Sequence, residues 1–260
     1  MDSDIQERHL GVPGSPNFRD AGGYPTHSGT VAWRRIFRSG HLASLSLTEQ
    51  ERLAGLGIEL IVDLRRADER AQESGVLPGA KVITAEITPG SAASAIYTDS
   101  SRLTGAAAMR SFMRDINRQF VLSQSEVFAE VFRSLIASGA RSVLFHCSAG
   151  KDRTGYAIAL LHAILGVRKD DLEADYMLSS RYFVPEQQIM RIRRKYPVNH
   201  LDDVSLHPML ATDPTYLQTA FSEIESEYGG FERYVSDALL LTEEDCQVLK
   251  DRFVIASSDT

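Results

Sequence analysis

Cys147 and Arg153 lie in the stretch HCSAGKDRTG, His146 to Gly155, with five residues between them. A thiolate at the start of such a stretch can act as a nucleophile, and a guanidinium at its end can hold two oxygens of a tetrahedral anion. The amides of Ser148, Ala149, Gly150, Lys151, Asp152 and Arg153 can ring the same anion if the chain curls, and Gly150 gives the backbone that freedom. Together with the positive end of a helix, Lys151 and Arg153 favour the ionised sulfur. The chemistry that follows is in-line attack on a phosphate monoester, a phosphocysteine intermediate and its hydrolysis by water. The Thr154 hydroxyl is placed to steady the sulfur as it leaves.

Such a loop needs rigid supports on both sides. Ser142 to Cys147 is a short β-branched and aromatic run, which predicts a buried strand, and Thr154 to Leu165 is apolar nearly all round, which predicts a buried helix. A strand that turns through small residues into a helix N-terminus makes an anion site. Upstream, Ile58 to Leu64 predicts a parallel strand with Asp63 at its C-terminal end, the edge where open α/β sheets place their sites. Asp63 can equally join a structural network with Arg65 or Arg66.

The signature HCSAGKDRTG resembles that of cysteine-dependent phosphatases, and its GKDRTG form is similar to the bacterial family typified by mycobacterial protein tyrosine phosphatase B. The segments NFRDAGGY, Asn17 to Tyr24, and IVDLR, Ile61 to Arg65, extend the resemblance. It implies a tyrosine-phosphatase-like α/β fold, a mostly parallel central sheet flanked by helices, with a helical C-terminal part. It also implies action on phosphotyrosine, with phosphoserine, phosphothreonine and phosphoinositides as further substrates. Lys151 matches a lysine that contacts inositol phosphates in the tumour-suppressor lipid phosphatases. The chain has no Trp-Pro-Asp sequence, since its single tryptophan, Trp33, precedes Arg34. The resemblance puts the proton donor at Asp152. The positive loop opposes the proton that a donor needs there, so Asp63 stands as second candidate, as acid or as the group that orients Arg153. His146 is expected to hold the loop and tune Cys147 through hydrogen bonds.

The net charge of −7 argues against general nucleic-acid binding, while an apolar fraction of 43% suffices for a sizeable core. Two cysteines give no disulfide framework, and the seven histidines show no metal-ligand spacing, so no metal or cofactor is expected. The charged start MDSDIQERHL has no apolar signal core, and no stretch is apolar enough to cross a membrane; the expected location is the cytoplasm, or outside the cell by a route without a cleaved signal. Residues 1–16 are expected to form an arm and 17–260 one domain.

Along the chain, Asn17 to Gly40 predicts one or two hairpins ending in a strand from Val31 to Phe37, in which Arg19 and Asp20 form an ion pair or pack near the loop. Ser46 and Glu49 have capping-box spacing for a short helix. Lys81 to Ile87 predicts a strand, and Thr88 to Thr104 a loop bordering the site. Helices follow over Ala106 to Phe120 and Ser125 to Ser138, with Arg110, Arg114 and Arg118 as a basic stripe, either solvated or substrate-facing. Beyond Gly166 the pattern is helical. Within it Met190 to Lys195 is basic and amphipathic, suited to a lid or to an exposed face. A rhodanese-like sulfurtransferase and a non-catalytic phosphate-recognition module use similar loops and are the competing readings.

Overall fold

In the computed structural model, residues 8–75, 77–88 and 103–256 are described. The seven strands are β1 (Arg19–Asp20), β2 (Gly29–Val31), β3 (Ile36–Ser39), β4 (Leu60–Asp63), β5 (Lys81–Thr84), β6 (Val143–His146) and β7 (Val254–Ala256). Five of them form one sheet in the order β1-β3-β6-β4-β5, and β2 pairs with β7 in a second, two-stranded sheet. Strands β3, β6, β4 and β5 are parallel, and β1 is antiparallel to β3. This is the mostly parallel sheet that the sequence predicts.

Its central strand, β6, reads VLFH and is buried along its whole length, as a strand covered on both faces must be. The register sets Ser39, His146 and Asp63 side by side at the C-terminal edge. There the chain leaves β6 into the loop.

The helices are α1 (Leu47–Ala54), α2 (Ala67–Gln72), α3 (Gly105–Leu122), α4 (Ser125–Ser138), α5 (Asp152–Ile164), α6 (Lys169–Met177), α7 (Ser179–Tyr182), α8 (Pro185–Lys195), α9 (Asp203–Leu210), α10 (Pro214–Tyr228), α11 (Phe231–Arg233) and α12 (Glu243–Phe253). A π-helical stretch, Tyr234–Ala238, follows α11. Among the described residues, no helix is long and apolar enough to cross a membrane. Helix α5 carries the apolar run after the loop, and its Tyr156, Ile158, Leu160 and Leu161 are wholly buried in the main core. The Ser46–Glu49 capping box starts α1 as expected, and Gly139 ends α4 in the left-handed conformation.

Three expectations need correction. Residues 17–40 form the expected antiparallel pairings, Pro25 with Thr30 and β1 with β3, but Arg34 takes a left-handed conformation, φ +61°, so the last strand begins only at Ile36, and β2 also pairs with the far end of the chain. Helix α9 was hidden by Pro208 within it; Asp202 starts it by accepting from the Ser205 amide. Helix α2, between β4 and β5, has no apolar periodicity to announce it. The expected loop Thr88 to Thr104 lies largely outside the described residues. Residues 8–16 lie against the sheet, with Val12 and Ser15 buried and His9 bridged to Arg19.

Candidate active site

The loop from Cys147 to Arg153 sits between β6 and α5 as its sequence requires. Gly150 has φ +68°, and a Cβ there would collide with the backbone of Ser39 and Gly40, so a side chain is excluded on conformation and on space. The Gly150 amide donates to Cys147 Sγ at 3.3 Å. The loop's carbonyls are tied back on the opposite side. Asn17 Nδ2 donates to Gly150 O (2.7 Å) and Ala149 O (3.4 Å), and Arg38 Nη2 donates to Gly150 O (3.0 Å) and Lys151 O (3.4 Å). The His41 amide holds Ser148 O at 3.1 Å. Because a peptide's N–H and C=O point in opposite directions, fixing these carbonyls outward turns their amides inward.

The supports are themselves held by Asp175 of α6. Its carboxylate accepts from Arg38 Nη1 (2.5 Å), Arg19 Nε (3.5 Å) and the Tyr24 hydroxyl (3.2 Å), and its carbonyl accepts from Arg19 Nη2 (2.8 Å). Burial works to raise the Asp175 carboxyl, but Arg38 and Arg19 together hold it well below the usual range. Arg19 therefore pairs with Asp175 and not with Asp20, whose carboxylate instead accepts the amides of Gly22 and Arg34. The alternative in which the NFRD segment packs near the loop is the one realised.

Arg153 is aimed by a residue that sequence reasoning missed. Glu69, wholly buried at the start of α2, accepts from Arg153 Nη1 (2.5 Å) and Nη2 (3.0 Å), while Leu64 O accepts from Nη1 at 3.3 Å. These bonds use both Nη1 hydrogens and one on Nη2. Among the described residues the Nε hydrogen and the second Nη2 hydrogen remain, parallel along one edge of the guanidinium, the pair that grips two anion oxygens. Burial acts to raise the Glu69 carboxyl, but Arg153, Lys195 and Arg66 outweigh it and keep it ionised far below its ordinary range. For Arg153, burial opposes the charge, and Glu69 and Cys147 more than restore it.

Asp152 begins α5, and its Oδ1 accepts from Lys151 Nζ (2.9 Å) and the Tyr176 hydroxyl (3.2 Å). Lys151 was expected to face the ligand. Its side chain is buried, and its ammonium also donates to Ala211 O at 2.9 Å, because an ammonium taken out of water must find acceptors. The Thr154 hydroxyl is buried with no hydrogen-bond partner among the described residues, which leaves it free for a ligand or for the sulfur.

Asp63 lies elsewhere. Arg65 grips it with two bonds, Nε to Oδ1 (2.9 Å) and Nη2 to Oδ2 (2.7 Å), and its Oδ2 is 3.6 Å from His146 Nε2. Burial pushes the Asp63 carboxyl up, but Arg65 and His146 bring it below the usual range, so it holds a proton poorly. Burial also depresses His146 to about 4 against the pull of Asp63, leaving the ring neutral near pH 7. Asp63, Arg65 and His146 line a cavity separate from the one that holds Cys147.

A cavity of about 100 Å³ contains Cys147, Ser148, Asp152 and Arg153, and its outer wall is α8 and the end of α9. From α8, Arg191 Nη2 and Lys195 Nζ reach Ser148 Oγ at 2.9 and 3.2 Å; Arg191 also forks Glu73 and Lys195 binds Glu69. The basic helix thus covers the loop. Of the stripe on α3, Arg118 is occupied by Asp115 and Glu223.

The sequence profile of the tyrosine phosphatase family matches residues 10–255. A provisionally named tyrosine-protein phosphatase of Cupriavidus necator is 34% identical over 239 residues, covering 90% of this chain and 86% of that one. The triple specificity protein phosphatase PtpB of Mycobacterium tuberculosis is 30% identical over 271 residues, covering 87% of this chain and 92% of its own. A tyrosine-protein phosphatase of Nostoc commune is 29% identical over 222 residues, covering 83% and 72%.

Proposed function

The chain belongs to the tyrosine phosphatase family, a hydrolase of phosphoric monoesters, and from that premise we propose that Cys147 is its nucleophile and Asp152 its proton donor. The observation that carries this reading is the orientation of the loop: a sulfur at its floor receiving the Gly150 amide, with the backing carbonyls turned away.

Attack of the Cys147 thiolate on phosphorus forms the S–P bond as the ester P–O bond breaks, and the leaving oxygen takes a proton from Asp152. Water then attacks the phosphocysteine, giving its proton to the Asp152 carboxylate, and the sulfur departs as thiolate beside the Thr154 hydroxyl. The inward amides and the open edge of Arg153 meet the charge on the equatorial oxygens throughout. Asp152 suits the donor role because it lines the cavity with Cys147, and its single ammonium neighbour is already shared with Ala211 O. Asp63 we assign to positioning: its charge stands behind His146, the residue before the nucleophile.

Phosphotyrosine is the proposed substrate, with phosphoserine, phosphothreonine and phosphoinositides in the range that the name of the mycobacterial relative suggests. We read 17–260 as the catalytic unit and a reducing compartment such as the cytoplasm as the setting that keeps the thiolate active.

Hydrolysis of p-nitrophenyl phosphate in EDTA tests the reading. Cys147→Ser is expected to abolish turnover, and Asp152→Asn to slow it by roughly 10²-fold, less for p-nitrophenol than for a tyrosine leaving group. Wild-type rates in Cys147→Ser would return the loop to a recognition role.

A further inference from the structure

A groove of about 790 Å³ lies on the other side of α8 from the catalytic cavity. Gln188, Arg191 and Lys195, spaced along one stripe of α8, line both. The floor of the groove includes Asn17 and His41, residues already bonded to the loop's carbonyls. Catalytic cavity and groove are therefore separated by one row of side chains.

We infer that this groove binds an acidic segment of a polypeptide substrate next to its phosphorylated residue, an inference that rests on the phosphatase reading above. Charge is the first argument. Arg191 is paired with Glu73 and Lys195 with Glu69, while Arg194 has no carboxylate partner among the described residues, which leaves the lining cationic in a chain whose net charge is −7. The two lining histidines add no repulsion or attraction near pH 7: burial lowers His9, and burial with Arg191 lowers His41 to about 4. A cationic hollow on an acidic protein, beside the reacting centre, selects for acidic neighbours of the phosphate.

The second argument is the mixture of surfaces. Met190 and Val184, on the rim, are 64% and 43% exposed, and the opposite wall contains Val12 and Pro13. Cations spread along a helix with apolar side chains between them match a chain of alternating acidic and apolar residues. A headgroup alone would leave the apolar rim uncovered. The volume accommodates several side chains. Arg191 is the hinge of the argument, because its guanidinium touches both Glu73 in the groove and Ser148 in the loop. An acidic side chain arriving in the groove competes with Glu73 for it.

Arg194 is exposed, lies outside the catalytic cavity and, among the described residues, bonds only its own helix, at Met190 O. The test compares kcat/KM for phosphotyrosine peptides of equal length flanked by glutamate or by glutamine, for p-nitrophenyl phosphate, and for phosphoinositide vesicles. Wild type is expected to prefer the glutamate peptide by about fivefold through KM, the size set by a few partly exposed ion pairs. Arg194→Glu is expected to cancel the preference and leave p-nitrophenyl phosphate turnover within about twofold, since the arginine touches no reacting atom. A wild type indifferent to flanking charge, a preference that survives Arg194→Glu, or an effect confined to vesicles overturns the inference while the phosphatase reading stands. Absence of p-nitrophenyl phosphate turnover in wild type overturns both.

Discussion

The phosphate loop is held from beneath and from above by the same chemistry, guanidinium on carboxylate, in two different solvents. Beneath it, Arg19, Arg38 and Asp175 are wholly or almost wholly buried, and Asn17 and Tyr24 add hydrogen bonds to Arg19 and Asp175. Above it, the Arg191–Glu73 pair keeps 22% and 26% of its side chains exposed, and Arg193–Asp203 keeps 21% and 64%. A buried pair that loses one member leaves an uncompensated charge and costs about 3–5 kcal/mol, whereas an exposed pair contributes about 0–1 kcal/mol. The difference teaches which side of the site the fold keeps rigid: the loop's backbone is fixed from below, and its cover, apart from the buried Lys195–Glu69 pair, rests on contacts that water can replace.

The largest effect should follow from breaking the underside. Arg38→Met leaves Asp175 with Arg19 as its one guanidinium partner, beside the Tyr24 hydroxyl, and strips Gly150 O of a donor. Urea unfolding is expected to show a loss of about 3–5 kcal/mol, and kcat per folded molecule to fall by roughly 10²-fold as the amides lose their fixed direction. Arg38→Lys keeps the charge without the fork, so it should recover part of the stability and little of kcat. A folded, fully active Arg38→Met would erase the contrast between the two sides.

How much of this could be read from the chain depends on the range of each interaction. The loop was legible because its residues are consecutive: strand, small-residue turn and helix N-terminus determine the cup, and the residue types name its ligand. Its supports were not. Arg153 and Glu69 are 84 residues apart, Arg38 and Asp175 are 137 apart, and no spacing rule joins ion-pair partners at such distances. One signal was available. Arg38 interrupts the apolar run Ile36 to Ser39, and a cation in a central strand must have a buried partner. The partner of Lys151 was hidden for the same reason, since its position in the loop, lining the cavity with Cys147, is local but the acceptor of its ammonium, Ala211 O, is supplied by the end of α9.

Acid should sharpen the comparison at an intermediate scale. His146 and His162 are buried around the loop and its supports, and burial lowers both to about 4, His162 despite the nearby Asp175. The unfolded chain binds their protons near the ordinary histidine value of about 6.5. Between those limits the unfolded state holds more protons, so stability is full above about pH 6.5 and falls as the pH drops toward 4. Each histidine contributes a slope of about 1.4 kcal/mol per pH unit. The Arg191–Glu73 pair should persist over this window, because Arg191 holds Glu73, against its burial, below the ordinary carboxylate range, while His41 beside it, lowered to about 4 by burial and Arg191, adds a slope of its own. Urea midpoints from pH 7 to 4.5 check this, with His162→Gln expected to flatten the slope; a midpoint independent of pH would remove the dry underside from the account.

The smallest effect belongs to the cover. Glu73→Gln removes the charge that pins Arg191 but leaves its bond to Ser148 Oγ, so α8 keeps one anchor of two at that residue. An ion pair this exposed contributes about 0.5–1 kcal/mol, which corresponds to a two- to fivefold faster opening. Hydrogen exchange of the α8 amides, Pro185–Lys195, measures that opening directly, and the amides of β6 in the same sample give the control. Exchange should quicken in α8 and stay unchanged in β6, and added salt should quicken it in wild type more than in the variant, because screening acts on the pair that the variant lacks. If Glu73→Gln instead loosened β6 as much as α8, the upper contacts would be continuous with the core, and the loop would be gripped equally from both sides.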